Sequence, residues 1–163
     1  MKSADAAMDK IFSRPALQEW TRKCKELGKK IVFTNGCFDI LHQGHMDLLS
    51  YSSKLGDVLV LGVNSDKSVK KLKGKDRPVN HESFRAFMLA SLSIVDAVCI
   101  FEEDTPLELI RAIEPDCIVK GGDYRPDQVV GAEQVISTGG EVRIFPLVKG
   151  YSTSALIDKI QKL

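Results

Sequence analysis

No stretch of this 163-residue chain approaches the ~18 consecutive apolar residues that a membrane-spanning helix requires. The first dozen residues carry Lys2, Asp5, Asp9 and Lys10 and no apolar run, so they do not read as a secretory signal. Neither sign of charge dominates: 23 Lys and Arg stand against 22 Asp and Glu, for a formal net charge of +1. That balance gives no global basic footprint for nucleic acid and no acidic excess of the kind that keeps chains disordered. Trp20 is the only tryptophan, which leaves no aromatic platform for stacking bases. The four cysteines, Cys24, Cys37, Cys99 and Cys117, form no CxxC pair and no zinc spacing. Three of them sit in or beside apolar runs and read as reduced, buried thiols of a cytoplasmic protein. Walker A and GxGxxG patterns are both missing, which excludes a P-loop kinase and a standard dinucleotide binder.

What remains is an ordinary globular composition, 44% hydrophobic and 28% charged, without repeats, low-complexity tracts or linkers. Residues 1–12 read as a weakly ordered arm or short helix. Ser13 and Pro15 open a helix that Gly28 ends. Apolar strands are expected at 30–34, 57–64, 97–101, 117–120 and 142–145, the second rich enough in β-branched residues to be covered on both faces. Helices are expected at 44–55 (ended by Gly56), 65–72, 80–92, 105–113, 128–137 and 153–160, the fourth opened by Thr105, Pro106 and Glu108. Alternation of this kind implies a Rossmann-like, doubly wound parallel five-stranded α/β sheet with helices on both faces. The domain expected is a single one over 1–163, with an N-terminal arm and helix in 1–28 and the core in 29–163. Ligands bind such sheets beyond the C-terminal strand ends, where strand order reverses. The polar clusters of this chain fall directly after its strands, which predicts one composite site.

The first cluster, Thr34 to His45, is TNGCFDILHQGH. It places His42 and His45 three residues apart at a helix start, hence on one helical face. Free amides at that start favour an anion. Gly36 permits a tight turn, and Gly44 removes a side chain where a ligand approaches. The ensemble reads as a phosphate cradle with two imidazole donors. His42, His45 and Asp39 match no zinc signature, so no metal ligands are assigned. A second cluster, Lys67, Lys70, Lys71, Lys73, Lys75 and Arg77, reads either as a solvated loop or as a clamp over anionic substrates. Asn64 and Asp66, which precede it, are placed to bind sugar hydroxyls or steady the loop. Lys120, Gly121, Gly122, Asp123 and Tyr124 follow the fourth strand, with two glycines suited to close backbone approach. Ser152, Thr153 and Ser154 open the last helix and supply hydroxyls and free amides, a second anion site.

The element His42-Gln43-Gly44-His45 resembles the HxGH signature of the cytidylyltransferase-like nucleotidyltransferases. The longer segments TNGCFDILHQGH, VNSDKSVKKLKGKDRPVN, FEEDTPLELI, VKGGDY and GYSTSALI, spanning Ile31 to Ile160, resemble within it the adenylyltransferases that form ADP-heptose from D-glycero-β-D-manno-heptose 1-phosphate. The resemblance implies ATP and a sugar 1-phosphate as substrates, Mg2+ as the accompanying ion, and pyrophosphate as the second product. It implies catalytic roles for His42 and His45 at the α-phosphate and for Lys73 in the mobile loop, with Lys70 or Lys71 next in line. It assigns ATP contacts to Thr34, Asn35, Gly36, Cys37, Phe38, Gly44, Lys120, Gly122, Asp123, Ser152, Thr153 and Ser154. In this reading Thr34 touches a phosphate, Phe38 packs beneath the loop and Cys37 is a packing residue. Acceptor contacts fall to Asp39, Asn64, Asp66, Lys70, Arg77, Arg85 and Tyr151, with Asp39 alternatively orienting the loop or approaching magnesium, and Arg85 alternatively structural. Also implied are a homodimer, no nucleic-acid or membrane partner, and a separate heptose kinase and phosphatase, since some 30 residues before the first strand are too few for a kinase. The product would feed lipopolysaccharide core or another surface glycan. Two alternatives stay open: a glycerol-3-phosphate cytidylyltransferase or pantetheine-phosphate adenylyltransferase, and a non-catalytic nucleotide-binding regulator.

Overall fold

The structure, a computed structural model, describes residues 4–146 and 150–163. Along the chain run α1 (Ala4–Met8), α2 (Arg14–Glu26), β1 (Ile31–Gly36), α3 (Gln43–Ser52), β2 (Val58–Asn64), α4 (Asp66–Lys73), α5 (Glu82–Ala90), β3 (Ala97–Phe101), α6 (Leu107–Ile113), β4 (Cys117–Gly121), a 3-10 turn (Pro126–Gln128), α7 (Ala132–Ser137), β5 (Glu141–Phe145) and α8 (Thr153–Gln161). All five strands are parallel, in the order β3-β2-β1-β4-β5. The doubly wound α/β sheet expected from the alternation is the fold observed.

Side-chain parity explains why the sheet needs helices on both faces. Ile31, Phe33, Val58 and Val60 join one buried cluster with Leu17 and Cys24 of α2, Leu109, Ile110 and Ile113 of α6, and Ala132 and Val135 of α7. Their neighbours Val32, Leu59, Leu61 and Val63 point the other way, onto Leu48 and Leu49 of α3 and Ala86, Leu89 and Ala90 of α5. Each such aliphatic side chain contributes about 1.5–3 kcal/mol of transfer free energy, so both layers are driven by the same apolar runs. Among the described residues no helix is long and apolar enough to cross a membrane.

The two ends of the sheet are built differently. At the N-terminal end, carboxylates accept from backbone N–H groups: Asp57 from Lys30 at 2.8 Å, Asp116 from Ile31 at 2.7 Å, Asp96 from Leu59 at 2.8 Å. At the C-terminal end the central strands part. β1 pairs with β2 from Ile31↔Val58 to Gly36↔Val63, yet meets β4 only at Val32↔Cys117 and Phe33↔Ile118. Strand order reverses between β1 and β4, so their parted ends open a crevice at the switch point.

Several boundaries differ from the sequence reading. The N-terminal arm is docked: Phe12 donates to the Val98 carbonyl, the Lys10 carbonyl accepts from Val98, and the Lys10 ammonium reaches the carbonyls of Leu92 and Val95. It covers the edge of β3; residues 1–3 of the arm lie outside the described residues. Thr105 does not cap α6, whose cap position is Pro106. The helix expected over 128–137 is broken, because Val129 is drawn into the core and only Ala132–Ser137 is helical. Gly56 serves less as a helix stop than as a point of contact: a Cβ there would sit 2.7 Å from the Lys30 carbonyl oxygen.

Candidate active site

A cavity of about 650 Å3 lies in the crevice. Its first wall is the turn after β1. Phe38 takes a left-handed backbone (φ +46°), uncommon for an aromatic residue, and its ring is 2% exposed. The ring packs against His45 with centroids 5.2 Å apart. His42 occupies the cap position of α3 without making a side-chain cap, and its ring stacks on that of His45 at 3.8 Å. Gly44 makes this possible. A Cβ there would stand 3.2 Å from the His42 ring and 3.6 Å from the Tyr151 Cβ, so the bare Cα lets the imidazole fold back and lets the approach to α8 come close.

Burial lowers the pKa of both histidines, His45 to about 4 with a smaller contribution from His42. Their Nδ1 atoms are buried without a partner among the described residues. The resting stack is therefore a pair of neutral rings. A neighbouring polyanion opposes that shift, since negative charge favours the protonated ring.

Cations surround the stack. Lys73 (the last residue of α4), Arg77 and Lys120 line the cavity. Burial lowers the Lys120 pKa; the Cys37 thiol opposes this and the Lys73 charge adds to it. Burial also raises the Cys37 thiol, against the pull of Lys73, Arg85 and Arg77, so Cys37 is no poised nucleophile. From the opposite side comes the start of α8. Ser152 Oγ accepts from the Ala155 N–H at 3.0 Å, so this hydroxyl caps the helix, and the first-turn amides stay without intrahelical acceptors.

The cavity brings together most of the residues read from the sequence: Asn35, Gly36, Cys37, Phe38, Asp39, His42, Gly44, His45, Asn64, Lys73, Arg77, Lys120, Tyr151, Ser152, Thr153 and Ser154. Thr34, Asp66, Lys70, Arg85, Gly122 and Asp123 are not in its lining. Thr34 shares the parity of Val32 and is fully buried, and its hydroxyl has no partner among the described residues. Arg85 takes the structural alternative. It is 0% exposed, and its guanidinium donates to the Asn80 carbonyl (3.0 Å), to Asp66 (2.9 Å) and to the Cys37 carbonyl. Asp66 is spent on Arg85 and on His81 at 3.2 Å. Asp39 is 1% exposed, with its carboxylate on Arg77 and on the N–H groups of Val79 and Asn80. Burial alone would raise the Asp39 carboxyl, but the Asn80 and Val79 amides and Arg77 outweigh it and hold it below the ordinary value.

Other lining residues went unassigned in the sequence. Asp104, Thr105 and Pro106 follow β3, and Tyr124 lies with the Lys120 ammonium 5.8 Å from its ring centroid. Asp104 accepts from Lys71 at 2.7 Å, tying the end of α4 to the β3–α6 connection. The rule that polar residues directly after a strand belong to the site points to Asp104 and Thr105, a signal that the helix-start pattern of Thr105, Pro106 and Glu108 masks.

A cradle of imidazoles, cations and a helix start, suited to a polyanion, thus lies at the switch point of a parallel sheet. The cytidylyltransferase-like family model matches residues 33–158. The bifunctional protein HldE of Trichlorobacter lovleyi is 50% identical over 93% of this chain, and that of Koribacter versatilis 51% over 97%. This chain spans 31% and 32% of their lengths. The lipopolysaccharide core biosynthesis protein of Thermoplasma volcanium is 33% identical, with a TM-score of 0.59, over 77% of this chain and all of that one. Pantoate-β-alanine ligase of Francisella tularensis shares the fold alone, with a TM-score of 0.63 at 14% identity over 91% of this chain and 72% of that one. The chain belongs to the cytidylyltransferase-like family.

Proposed function

We propose that the chain transfers AMP from ATP to D-glycero-β-D-manno-heptose 1-phosphate, giving ADP-heptose and pyrophosphate. The observation that carries this reading is the approach of Gly44 to Tyr151, which sets the histidine stack and the start of α8 on one cavity. The segments that resemble ADP-heptose-forming adenylyltransferases support the adenylyl donor and the heptose acceptor, and the half-identical HldE relatives are in keeping with them.

In this reading an acceptor phosphate oxygen attacks the α-phosphorus. A new P–O bond forms, and the bond to the bridging oxygen of the β-phosphate breaks. Pyrophosphate leaves with the electron pair. The nucleophile is already an anion, so the protein supplies position and charge shielding in place of a general base. His42 and His45 donate to the non-bridging oxygens of the α-phosphate, where negative charge grows in the transition state. The first-turn amides of α8, with Thr153 and Ser154, take the β- and γ-phosphates. Lys73 and Arg77 draw the acceptor phosphate inward, Asn64 meets sugar hydroxyls, and Lys120 serves the nucleoside end.

Magnesium does not find a carboxylate cage here. Among the described residues no group of three or more His, Cys, Asp or Glu could hold a metal, and the Asp39 carboxylate is fully engaged. An ion arriving with the nucleotide would be held by phosphate oxygens and water, as magnesium commonly is, and no step above depends on it. A homodimer, a cytoplasmic location and companion heptose kinase and phosphatase steps belong to the same reading.

The test is a coupled pyrophosphate assay with ATP and CTP against a panel of sugar 1-phosphates and glycerol 3-phosphate. Release with ATP and the heptose 1-phosphate is expected. Release with CTP and glycerol 3-phosphate would favour the cytidylyl reading, and no release with any pair would favour a non-catalytic nucleotide binder.

A further inference from the structure

Asp39 lies in the middle of the histidine loop, at the cavity wall but only 1% exposed. Its carboxylate takes the Arg77 Nε–H at 2.6 Å, the Val79 N–H at 2.9 Å and the Asn80 N–H at 2.9 Å. Its own carbonyl takes the Asn80 side-chain amide at 2.7 Å. Every one of these donors comes from segment 77–80, roughly forty positions along the chain. Arg77 lines the cavity, its side chain 16% exposed, and among the described residues Nε is its only side-chain nitrogen with a protein partner. A guanidinium held by Nε presents its two Nη groups together, the geometry that meets a phosphate bidentately. One residue before Asp39, Phe38 packs beneath His45. One residue earlier still, the Cys37 carbonyl accepts from buried Arg85, which also holds the Asn80 carbonyl.

We infer that Asp39 is a positioning residue: it clamps Arg77 by Nε so that the free edge of the guanidinium faces the acceptor phosphate, in register with the histidine stack. The inference rests on the proposed reaction for the identity of the acceptor. Three consecutive residues thus carry the floor of the stack, the arginine clamp and the tie to Arg85. The distance between the attacking phosphate and the α-phosphate site is fixed by a single backbone turn. Nothing in this role requires Asp39 to touch substrate.

Asp39→Asn tests it selectively. The amide oxygen can still accept from Val79 and Asn80, but its NH2 faces the Arg77 Nε–H, donor against donor. The expected result is a rise in KM for the sugar phosphate of about tenfold or more, with KM for ATP within about twofold, since only the acceptor arm is released. In an Arg77→Ala background the same substitution should add little, the non-additivity expected of residues acting as a unit. A merely structural Asp39 would instead raise both KM values and add fully to Arg77→Ala; that pattern, or an unchanged acceptor KM, overturns the inference. A wild-type protein that releases no pyrophosphate refutes the proposed reaction, not the clamp. Titration with inorganic phosphate, followed by 31P line broadening, covers that case. The share of binding lost in Arg77→Ala should also be lost in Asp39→Asn, and its retention in Asp39→Asn overturns the clamp.

Discussion

Two stacked imidazoles 3.8 Å apart, with both Nδ1 atoms closed off from water, stay neutral because neither burial nor the other ring tolerates a charge. This has a consequence for stability. The folded pKa of His45 is near 4, against about 6.5 in the unfolded chain, so below pH 6.5 the unfolded state binds the extra proton. The His45 contribution is fully present above pH 6.5 and drains away as pH falls towards 4, reaching on the order of 3 kcal/mol. Urea midpoints between pH 7 and 4.5 should fall more steeply for the wild type than for His45→Asn; equal slopes would contradict the neutral stack. At this scale the sequence shows residue types but not their facing. His42 and His45 announce an anion site by their spacing at a helix start, whereas only the family resemblance singles out Lys73 and Arg77 within the basic cluster. Asp39 and Arg85 carry the same kind of motif signal, yet a charged side chain turned onto backbone amides and carbonyls reads no differently in a sequence from one turned onto a ligand. Only their burial, 1% and 0%, separates the two cases.

Elements divide into those that position the site and those that hold the sheet. The first turn of α3 belongs to the former. Gly44→Ala should leave thermal stability equal or higher, since alanine favours a helix by up to about 1 kcal/mol over glycine. It should still lower turnover, because the new methyl sits 3.2 Å from the His42 ring. Unimpaired turnover would show that the fold of the stack over Gly44 has no catalytic role. The aspartates at the sheet's other end belong to the latter. Asp116→Ala removes a charged acceptor from the Ile31 N–H and should cost about 1.5–3 kcal/mol in urea unfolding without changing KM for either substrate. A KM shift there would mean that the two ends of the sheet are coupled. Strands β1 to β4 were legible because both parities of their runs are apolar, and β5 because Val142 and Ile144 alternate with Glu141 and Arg143. The break before α7 was not, since Val129 is a helix-compatible residue whose place in the core is decided by tertiary packing.

Across the whole molecule, the alternation of strands and helices made the fold class legible, but strand order did not follow from it. The reversal between β1 and β4 and the parting of their ends after Phe33↔Ile118 arise from the packing of α-layers that lie far apart in sequence. That parting opens one cavity to which the segments after all five strands contribute. In the proposed function this cavity holds a single triphosphate with the stacked imidazoles at its α-phosphorus. The most direct test is His45→Ala, assayed for single-turnover pyrophosphate release beside equilibrium ATP binding. Release should slow by about a hundredfold or more, the loss typical of one strong oxyanion donor, with ATP affinity changed by less than about tenfold. Release within about threefold of the wild type would contradict it.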